Sequence, residues 1–422
     1  MKKFLALIIA LVMALSLVAC GEQKQPETPD VPDDGGEQTA TIKVGFITLH
    51  DENSTYDLNF INAAKEAIAN LGLTENDYIL KTNVPEGQEC YDAAAELADA
   101  GCNIIFADSF CHEPYMIQAA KDFPNVQFCH STGTRAHTEG LSNYHNAFAS
   151  IYEGRYLAGI AAGLKLNEMI EAGQFTADQA KMGYVGAFTY AEVVSGYTSF
   201  YLGAKSVCPT VTMDVTFTGS WYDETLEKEG AQKLIAGGCK LISQHADSLG
   251  APTACENAGV PNVSYNGSTI TAGPNTYIIS SRIDWAPYYE MAIKAVMDGT
   301  EIPADYTGNL STGSVVLTDL NTAVAAEGTQ AAIDEAKAKL ESGELHVFDC
   351  STFTVSGANV KDTMKVDADG HLTSYMADVN TDEAYTGDTE VVHDGYFSES
   401  EFRSAPYFDL FIDGINTLDT AF

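Results

Sequence analysis

The sequence has few basic residues and almost no tryptophan. Of its 422 residues, 22 are lysine or arginine, 59 are aspartate or glutamate and 2 are tryptophan, and the formal net charge is −37. A chain this acidic repels the phosphate backbone of nucleic acids and the headgroups of anionic membranes. The charge therefore argues against a nucleic-acid partner. Because the chain is also too long for one compact core, we expect two or more lobes.

The signatures of common enzymes are missing as well. The chain contains no G-x-S-x-G, G-x-x-x-x-G-K-[ST], H-E-x-x-H or G-x-G-x-x-G motif. His130, His137 and His145 do not have the spacing of metal ligands on a helix. The acidic stretch at 367–378 has its glycine at the fourth position, whereas a calcium-binding loop needs it at the sixth. We therefore expect a protein that is not an enzyme and that holds no metal and no cofactor.

The amino terminus carries the most specific signal of the chain. Lys2 and Lys3 precede an apolar run over residues 4–18, which ends in small residues before Cys20. This order is typical of a secretory signal peptide, and "LVAC" matches the lipobox of bacterial lipoproteins, which are cleaved before the cysteine and lipidated on it. We expect residues 1–19 to be a signal peptide and Cys20 to carry a lipid. An uncleaved anchor helix is the alternative.

The segment that follows is typical of a tether. Residues 20–40 begin with the lipidated cysteine and are rich in proline, glycine and acidic side chains, so we expect them to be disordered. No second run of 18 apolar residues occurs, which argues against a transmembrane domain. The sequence thus predicts an extracytoplasmic protein that is lipid-anchored to the cell membrane.

Eight cysteines remain besides Cys20, and none forms a C-x-x-C pair. Their even number would allow disulfides in an exported protein. However, Cys102, Cys129 and Cys239 lie within or beside apolar strand patterns, where free buried thiols are common. We expect free thiols.

From residue 41 onward, short β-branched runs alternate with amphipathic helical patterns. Two such series occupy residues 41–150 and 151–283, and strands that alternate with helices in this way indicate parallel, doubly wound sheets. An internal repeat supports two lobes, because residues 96–109 match residues 233–246 in register. The alternative is a generic likeness between two helix–strand units. The sequence predicts an α/β fold of two parallel-sheet lobes.

Polar and aromatic residues gather where the predicted strands end. In doubly wound sheets the carboxyl ends of the strands line the ligand crevice. Both tryptophans occupy such places, Trp221 in "GSWYDE" and Trp285 in "RIDW". Aromatic faces stack on flat ligands, while acidic and histidine side chains form hydrogen bonds with hydroxyl groups or base edges. The pattern favours a binding cleft, although Asp51, Asp223 and Asp284 could each simply cap a helix.

Several stretches resemble one known family. "RYLAGIAAGLK", "VVSGYTSFYLGA", "GSWYDETLEKEGAQKLI" and "QHADS" are similar to the basic membrane protein family, the substrate-binding lipoproteins of ABC importers that include purine nucleoside receptors. The resemblance extends over residues 41–350 and implies the type I periplasmic-binding fold, with a ligand cleft between two lobes. The implied parts are residues 41–150 with about 284–310, residues 151–283 with about 311–350, and an extension over 351–422 that packs on both lobes.

The resemblance also implies a binding site. Trp221 matches the aromatic residue that stacks on the purine in this family. The other implied ligand contacts come from the ends of several strands and from a crossover: Asp51, Tyr56, Phe110, His245, Asp247 and Asp284. Trp285 is added to the expected site because of its place at a strand end, and the alternative is that it only packs the hinge. Relatives often carry an aromatic or a "GFND"-like element in the first loop, where this chain has "HDENSTY". Either Tyr56 replaces that wall, or the ligand is not a purine.

The function implied by the resemblance is capture of a purine nucleoside or purine base and its delivery to an ABC transporter permease. We expect a monomer that is attached to the membrane through Cys20. A receptor for a sugar or a signalling molecule on the same fold is the first alternative. The others are an exported nucleoside hydrolase, with Asp51 and Asp247 as acid and base, and a surface adhesin with a vestigial cleft.

Overall fold

A computed structural model describes residues 42–380 and 387–422. The expected signal peptide, the lipidated Cys20 and the tether lie outside the described residues. In the part that is described, no helix is both long enough and apolar enough to cross a membrane.

The first sheet has six strands, and all of them are parallel. They are β1 (Val44–Ile47), β2 (Tyr78–Lys81), β3 (Ile104–Ala107), β4 (Gln127–Ser131), β5 (Tyr144–Ala149) and β11 (Asp305–Gly308). Their order across the sheet is β11-β5-β4-β3-β1-β2. The helices of this lobe are α1 (Thr55–Asn70), α2 (Gln88–Asp99), α3 (Glu113–Asp122), the short α4 (Ala136–Glu139) and α9 (Ala286–Asp298), which packs on α1.

The second sheet has seven strands. They are β6 (Lys181–Gly186), β7 (Thr212–Phe217), β8 (Leu241–His245), β9 (Asn262–Tyr265), β10 (Tyr277–Ile283), β12 (Val315–Leu317) and β18 (Ile415–Thr417). Their order is β12-β10-β9-β8-β6-β7-β18, and only β12 is antiparallel to its neighbour. The helices are α5 (Ile151–Glu171), α6 (Ala191–Val207), α7 (Glu224–Ala236), α8 (Gly250–Ala258) and α10 (Thr329–Ser342).

The chain passes between the two sheets three times before its carboxyl-terminal part. It leaves the first sheet after β5, returns after β10 and leaves again after β11. Within each sheet, helices connect most of the successive strands, because parallel strands cannot be joined by a tight turn. Two α/β lobes with parallel sheets result, which confirms the predicted fold class.

The carboxyl-terminal part contains short strands of its own and also extends the second sheet. The short strands are β13 (Met364–Val366), β14 (Leu372–Ala377), β15 (Thr389–Glu390), β16 (Val392–His393) and β17 (Tyr396–Phe397). The β13–β14 turn places Gly370 at φ 91°, and the Asp367 side chain accepts the backbone N–H groups of Asp369 and His371. The sequence predicts an extension that packs on the lobes, and in the structure β18 of this part pairs in parallel with β7.

No disulfide joins the cysteines that the structure describes. Cys111 is exposed, and the remaining described cysteines are buried. Burial raises the pKa of Cys129 and of Cys255 to about 12. These thiols stay protonated at neutral pH and act as small apolar core residues.

Helices α5 and α6 approach each other at backbone distance. A Cβ on Gly159 would lie 2.1 Å from the Phe200 carbonyl oxygen, and a Cβ on Gly203 would lie 2.0 Å from the Tyr156 carbonyl oxygen. No side chain can occupy these places, because real Cβ atoms do not approach so closely. The glycines of "LAGIAAG" and "FYLGA" therefore set the separation of the two helices.

We expect Gly159→Ala to lower the free energy of unfolding by about 1–3 kcal/mol, because α5 and α6 must move apart to admit the methyl group. Urea denaturation measures the change. Gly230→Ala in α7 is the matched control, since a Cβ there would meet Val185 at an ordinary 3.4 Å and alanine favours a helix by about 1 kcal/mol over glycine. Equal losses in both variants would contradict the tight contact.

Candidate functional site

A pocket of about 360 Å³ lies where the carboxyl ends of the two sheets face each other. It is lined by residues from both lobes: Leu49, His50, Tyr56, Asp57, Ser109, Phe110, Thr132, Glu192, Trp221, His245 and Asp247. That volume includes space that is open to solvent.

The structure brings five of the residues predicted for the ligand site together in this pocket: Tyr56, Phe110, Trp221, His245 and Asp247. Tyr56 is held by a hydrogen bond from its hydroxyl to the Asp108 carbonyl oxygen, 2.7 Å away. Its helix α1 begins after Ser54, whose side chain accepts the backbone N–H of Asp57. The capping residue thus fixes where the helix starts and which side chains of its first turn face the pocket.

The other three predicted residues do not line the pocket. Asp51 accepts the backbone and side-chain N–H groups of Asn53 in the turn before α1. Asp284 accepts the backbone N–H of Ala286 at the start of α9. Trp285 is buried and stacks on Phe60, with ring centroids 4.5 Å apart. These side chains stabilise a turn, a helix start and the first lobe's core.

Two aromatic rings pack against Trp221, which lines the pocket. Trp221 packs against Phe188 and Tyr190, with centroid distances of 5.0 Å and 6.2 Å. We call these three residues of the second lobe the aromatic wall. Phe110 of the first lobe stacks on Tyr190 at 5.3 Å. The pocket therefore receives an aromatic side chain from each lobe.

The two lobes touch directly around the pocket. The backbone N–H of Thr55 donates to the Asp247 carbonyl oxygen at 3.0 Å, and the Asn59 amide lies 3.4 Å from the amide oxygen of Asn266. The rings of His50 and Tyr222 lie 5.5 Å apart across the same gap. These contacts join α1 and its preceding loop to the loops after β7, β8 and β9. The molecule is in a closed arrangement.

Asp57 is a buried carboxylate of the first lobe. It accepts the backbone N–H of His50 at 2.7 Å and the Ser54 hydroxyl at 2.5 Å, and the His50 ring lies 3.4 Å away. Burial opposes its charge, but the hydrogen bonds from His50 and Ser54 outweigh that effect and lower its pKa. Asp57 is thus charged at neutral pH.

Asp247 behaves in the opposite way. Its side chain accepts the Asn266 amide at 3.3 Å, and its backbone N–H donates to the Trp221 carbonyl oxygen at 3.0 Å. Burial raises its pKa well above the ordinary value, and the nearby charges of Asp57, Glu227 and Glu192 add to the rise. Asp247 therefore favours the protonated form, in which a carboxyl group can donate as well as accept a hydrogen bond.

His245 ends strand β8 at the pocket. Its Nε2 lies 3.4 Å from the Glu192 carboxylate, and its ring lies 4.6 Å from that of Tyr265. The buried guanidinium of Arg155 lies over the same Tyr265 ring, 3.4 Å from its centroid. Burial and the charge of Arg155 lower the pKa of His245 from 6.5 to about 4. The imidazole is neutral at physiological pH.

Thr132 is a pocket residue that the sequence did not single out. It has φ 73°, a backbone conformation that β-branched residues rarely adopt. Its buried hydroxyl has no hydrogen-bond partner among the described residues. The stretch "HSTGT" does not reveal the direction of this side chain or its unpartnered hydroxyl, which are visible only in the fold. Glu192 of α6 also lines the pocket without having been predicted, and its carboxylate lies beside His245.

The pocket combines aromatic faces with acidic and neutral polar groups, and no lysine or arginine is among its lining residues. Carboxylates repel phosphate and carboxylate groups at close range, and here little solvent screens them. The arrangement suits a small flat ligand that is uncharged and carries hydrogen-bond donors.

Comparison with known proteins gives a consistent result. A family model described as Bmp, ABC transporter substrate-binding protein PnrA-like, matches residues 45–347. A purine-binding protein of Brucella abortus (strain 2308) is 32% identical over 310 residues, which cover 73% of this chain and 83% of that protein. An ABC transporter nucleoside-binding protein of Lactococcus lactis subsp. cremoris (strain MG1363) is 24% identical over 59% of this chain and 67% of that protein.

A further relative carries another ligand in its name. A Haloferax volcanii protein, provisionally named an ABC transporter glucose-binding protein, is 32% identical over 222 residues, which cover 53% of each chain. Among solved structures, an ABC transporter solute-binding protein from Aeropyrum pernix K1 has a TM-score of 0.62 at 19% identity and covers 76% of this chain and 95% of that one. One from Conexibacter woesei has a TM-score of 0.58 at 21% identity, covering 72% and 98%. These two structures share the fold.

The buried histidines make stability depend on pH. The pKa of His245 is about 4 in the folded chain and 6.5 when it is exposed, so between these values the unfolded chain binds more protons. Burial lowers the pKa of His112 and of His145 to about 4 as well. The buried acids Glu153, Glu227 and Glu399, whose pKa burial raises to about 7, act in the opposite direction, so the contribution of one histidine is measured as a difference between two variants. We expect the melting temperature of His245→Gln, relative to that of the unaltered chain, to rise as the pH drops from 6.5 to 4. A constant difference would contradict the role of His245.

Proposed function

We propose that this chain, which belongs to the Bmp family of PnrA-like ABC transporter substrate-binding proteins, captures a purine nucleoside or purine base in the pocket between its lobes. The family is not enzymatic, so the pocket holds its ligand and releases it unchanged. The observation that carries the proposal is that Phe110 of one lobe and Trp221 of the other both line a pocket whose lining residues include no lysine or arginine. A purine offers two flat faces and an uncharged, donor-bearing edge that fit such a lining.

Each part of a purine has a suitable partner in the pocket. The π-faces can stack on Phe110 and Trp221, and such stacking contributes about 1–3 kcal/mol per base. The edge nitrogens and exocyclic groups need hydrogen-bond partners, which Thr132, His245 and Asp247 offer. Because Asp247 favours its protonated form, it can complement either a donor or an acceptor on the ring.

Ligand capture is proposed to work by lobe closure. Phe110 belongs to the first lobe, whereas Trp221, His245 and Asp247 belong to the second, so a bound ligand contacts both. A ligand shifts the open–closed equilibrium only by the difference in its affinity for the two states. Because those side chains meet only when the lobes are closed, the ligand favours closure.

The proposal also covers where the protein is located, how it is anchored, what it delivers its ligand to and how its lobes are divided. Solute-binding proteins of this class typically work outside the cytoplasm. We propose that a lipid on Cys20 attaches this protein to the cell membrane. We also propose that the protein is a monomer and delivers its ligand to an ABC permease. The proposed lobes are residues 41–150 with 284–310 and residues 151–283 with 311–350, with 351–422 as an extension.

A sugar is the second candidate ligand. The provisionally named glucose-binding relative from Haloferax volcanii supports it, and so does the pocket chemistry, since aromatic faces and carboxylates also bind sugar rings. The lining residues by themselves do not separate a hexose from a purine base.

Titration calorimetry with adenine, hypoxanthine, adenosine, inosine, guanosine and glucose tests the proposal. We expect heat with at least one purine, and about a tenfold or larger loss of affinity in Trp221→Ala because the stacking surface is removed. Phe402→Ala is the control, since its ring is 45% exposed and lies outside the pocket. Heat with glucose alone would replace the purine proposal by the sugar, and no heat with any purine would overturn it.

Tryptophan fluorescence gives an independent readout. Trp221 lines the pocket, whereas Trp285 is 2% exposed and packed on Phe60. Ligand should therefore change the emission of Trp221 and leave that of Trp285 constant. We expect the ligand-dependent change to disappear almost entirely in Trp221→Phe. A change of undiminished size in that variant would place the ligand elsewhere.

A further inference from the structure

The segment from Ile415 to Ala421 lies outside residues 45–347, the range that the family model matches. We propose that this segment is a positioning element of the binding site, because it holds the two loops that carry the aromatic wall. The part of the inference that concerns affinity rests on the proposed function. The part that concerns the wall itself does not.

The segment first joins the sheet beside the wall. Strand β18 pairs in parallel with β7, with Ile415 opposite Met213 and Thr417 opposite Val215. The backbone N–H of Leu418 then donates to the Val215 carbonyl oxygen at 2.8 Å. Strand β7 leads directly into the loop of Trp221, so the pairing brings the segment to the base of that loop.

Asp419 next binds the end of β7. Its carboxylate accepts the backbone N–H of Phe217 at 2.7 Å and the hydroxyl of Thr216 at 2.7 Å. The Lys233 ammonium of α7 lies 2.9 Å from the same carboxylate. One side chain thus ties the last residues of the strand before Trp221 to the helix after it.

Ala421 binds the second loop of the wall. Its carbonyl oxygen accepts the backbone N–H of Thr189 at 2.7 Å, and its own N–H donates to the Thr189 hydroxyl at 2.9 Å. Thr189 stands between Phe188 and Tyr190 in the chain, and both of these rings pack on Trp221. The Ala421 methyl group also lies against Gly219, 3.8 Å from where a Cβ would be.

The segment therefore contacts both loops of the aromatic wall within a few residues. Tyr190 in turn meets Phe110 of the first lobe, so the position of the wall affects the ring that closes over the ligand. Rigid placement of binding groups before the ligand arrives reduces the entropy lost on binding. Asp419 and Ala421 act through the wall, since neither is among the residues that line the pocket.

The test compares Thr189→Val with Thr189→Ser. Valine keeps the shape but removes the hydroxyl that accepts the Ala421 N–H, whereas serine restores it. Asp419→Ala removes the second attachment. We expect purine affinity to fall roughly three- to tenfold in Thr189→Val, which loses one hydrogen bond, and to recover most of that loss in Thr189→Ser. Asp419→Ala loses the contacts to Phe217, Thr216 and Lys233, so we expect a fall at least as large. Phe422→Ala, at a side chain that is 82% exposed, should bind like the unaltered chain.

A second readout needs no ligand. In the ligand-free protein, acrylamide quenching of tryptophan emission should increase in Thr189→Val and Asp419→Ala, because a loosened wall exposes Trp221, and should stay unchanged in Phe422→Ala. Far-UV circular dichroism checks that each variant is folded, and if one unfolds the other carries the test. If the unaltered chain binds no purine, the proposed function fails and quenching alone decides the inference. Unchanged quenching in both folded variants would overturn it.

Discussion

Parallel strand pairing is the constraint on which the binding cleft depends. In both sheets the strands run in one direction, apart from the edge strand Val315–Leu317, so their carboxyl ends and the following loops lie at one edge. The chain crosses between the sheets three times, and the two edges face each other. The pocket residues consequently come from loops that are far apart in sequence. No single segment could form the site, and neither lobe alone contains both Phe110 and Trp221.

Burial of acidic groups is the second physical feature of the cleft. A buried carboxylate loses solvation, which must be offset by hydrogen bonds or relieved by protonation. The protein uses both solutions a short distance apart, because Asp57 is held by His50 and Ser54, whereas Asp247 favours its protonated form. The two side chains face the same pocket with different hydrogen-bonding abilities. That difference fits a ligand whose edge presents both donors and acceptors.

The carboxyl-terminal part adds a strand to the edge of the second sheet and leaves the order of the other strands unchanged. It lies beyond residue 347, where the family match ends, yet its strand Ile415–Thr417 extends the second sheet next to β7. The free edge of a sheet offers unpaired N–H and C=O groups, and β18 pairs with those of β7 and becomes the new edge. Asp419 and Ala421 follow this strand and bind the loops that carry the aromatic wall, so the added strand is continuous with contacts beside the site.

The sequence by itself determined the alternation of strands and helices, the two-lobed α/β fold and the family. The alternation depends on hydrophobic periodicity, which is a local pattern, and the family depends on matching stretches of sequence. Only the tertiary structure decided which strand-end residues face the ligand. Trp221 and Trp285 look alike in sequence, but Trp285 turns into the core against Phe60, while Thr132 enters the pocket. Side-chain direction at a strand end depends on how the next helix packs and on how the lobes close, and those contacts join residues that are hundreds of positions apart.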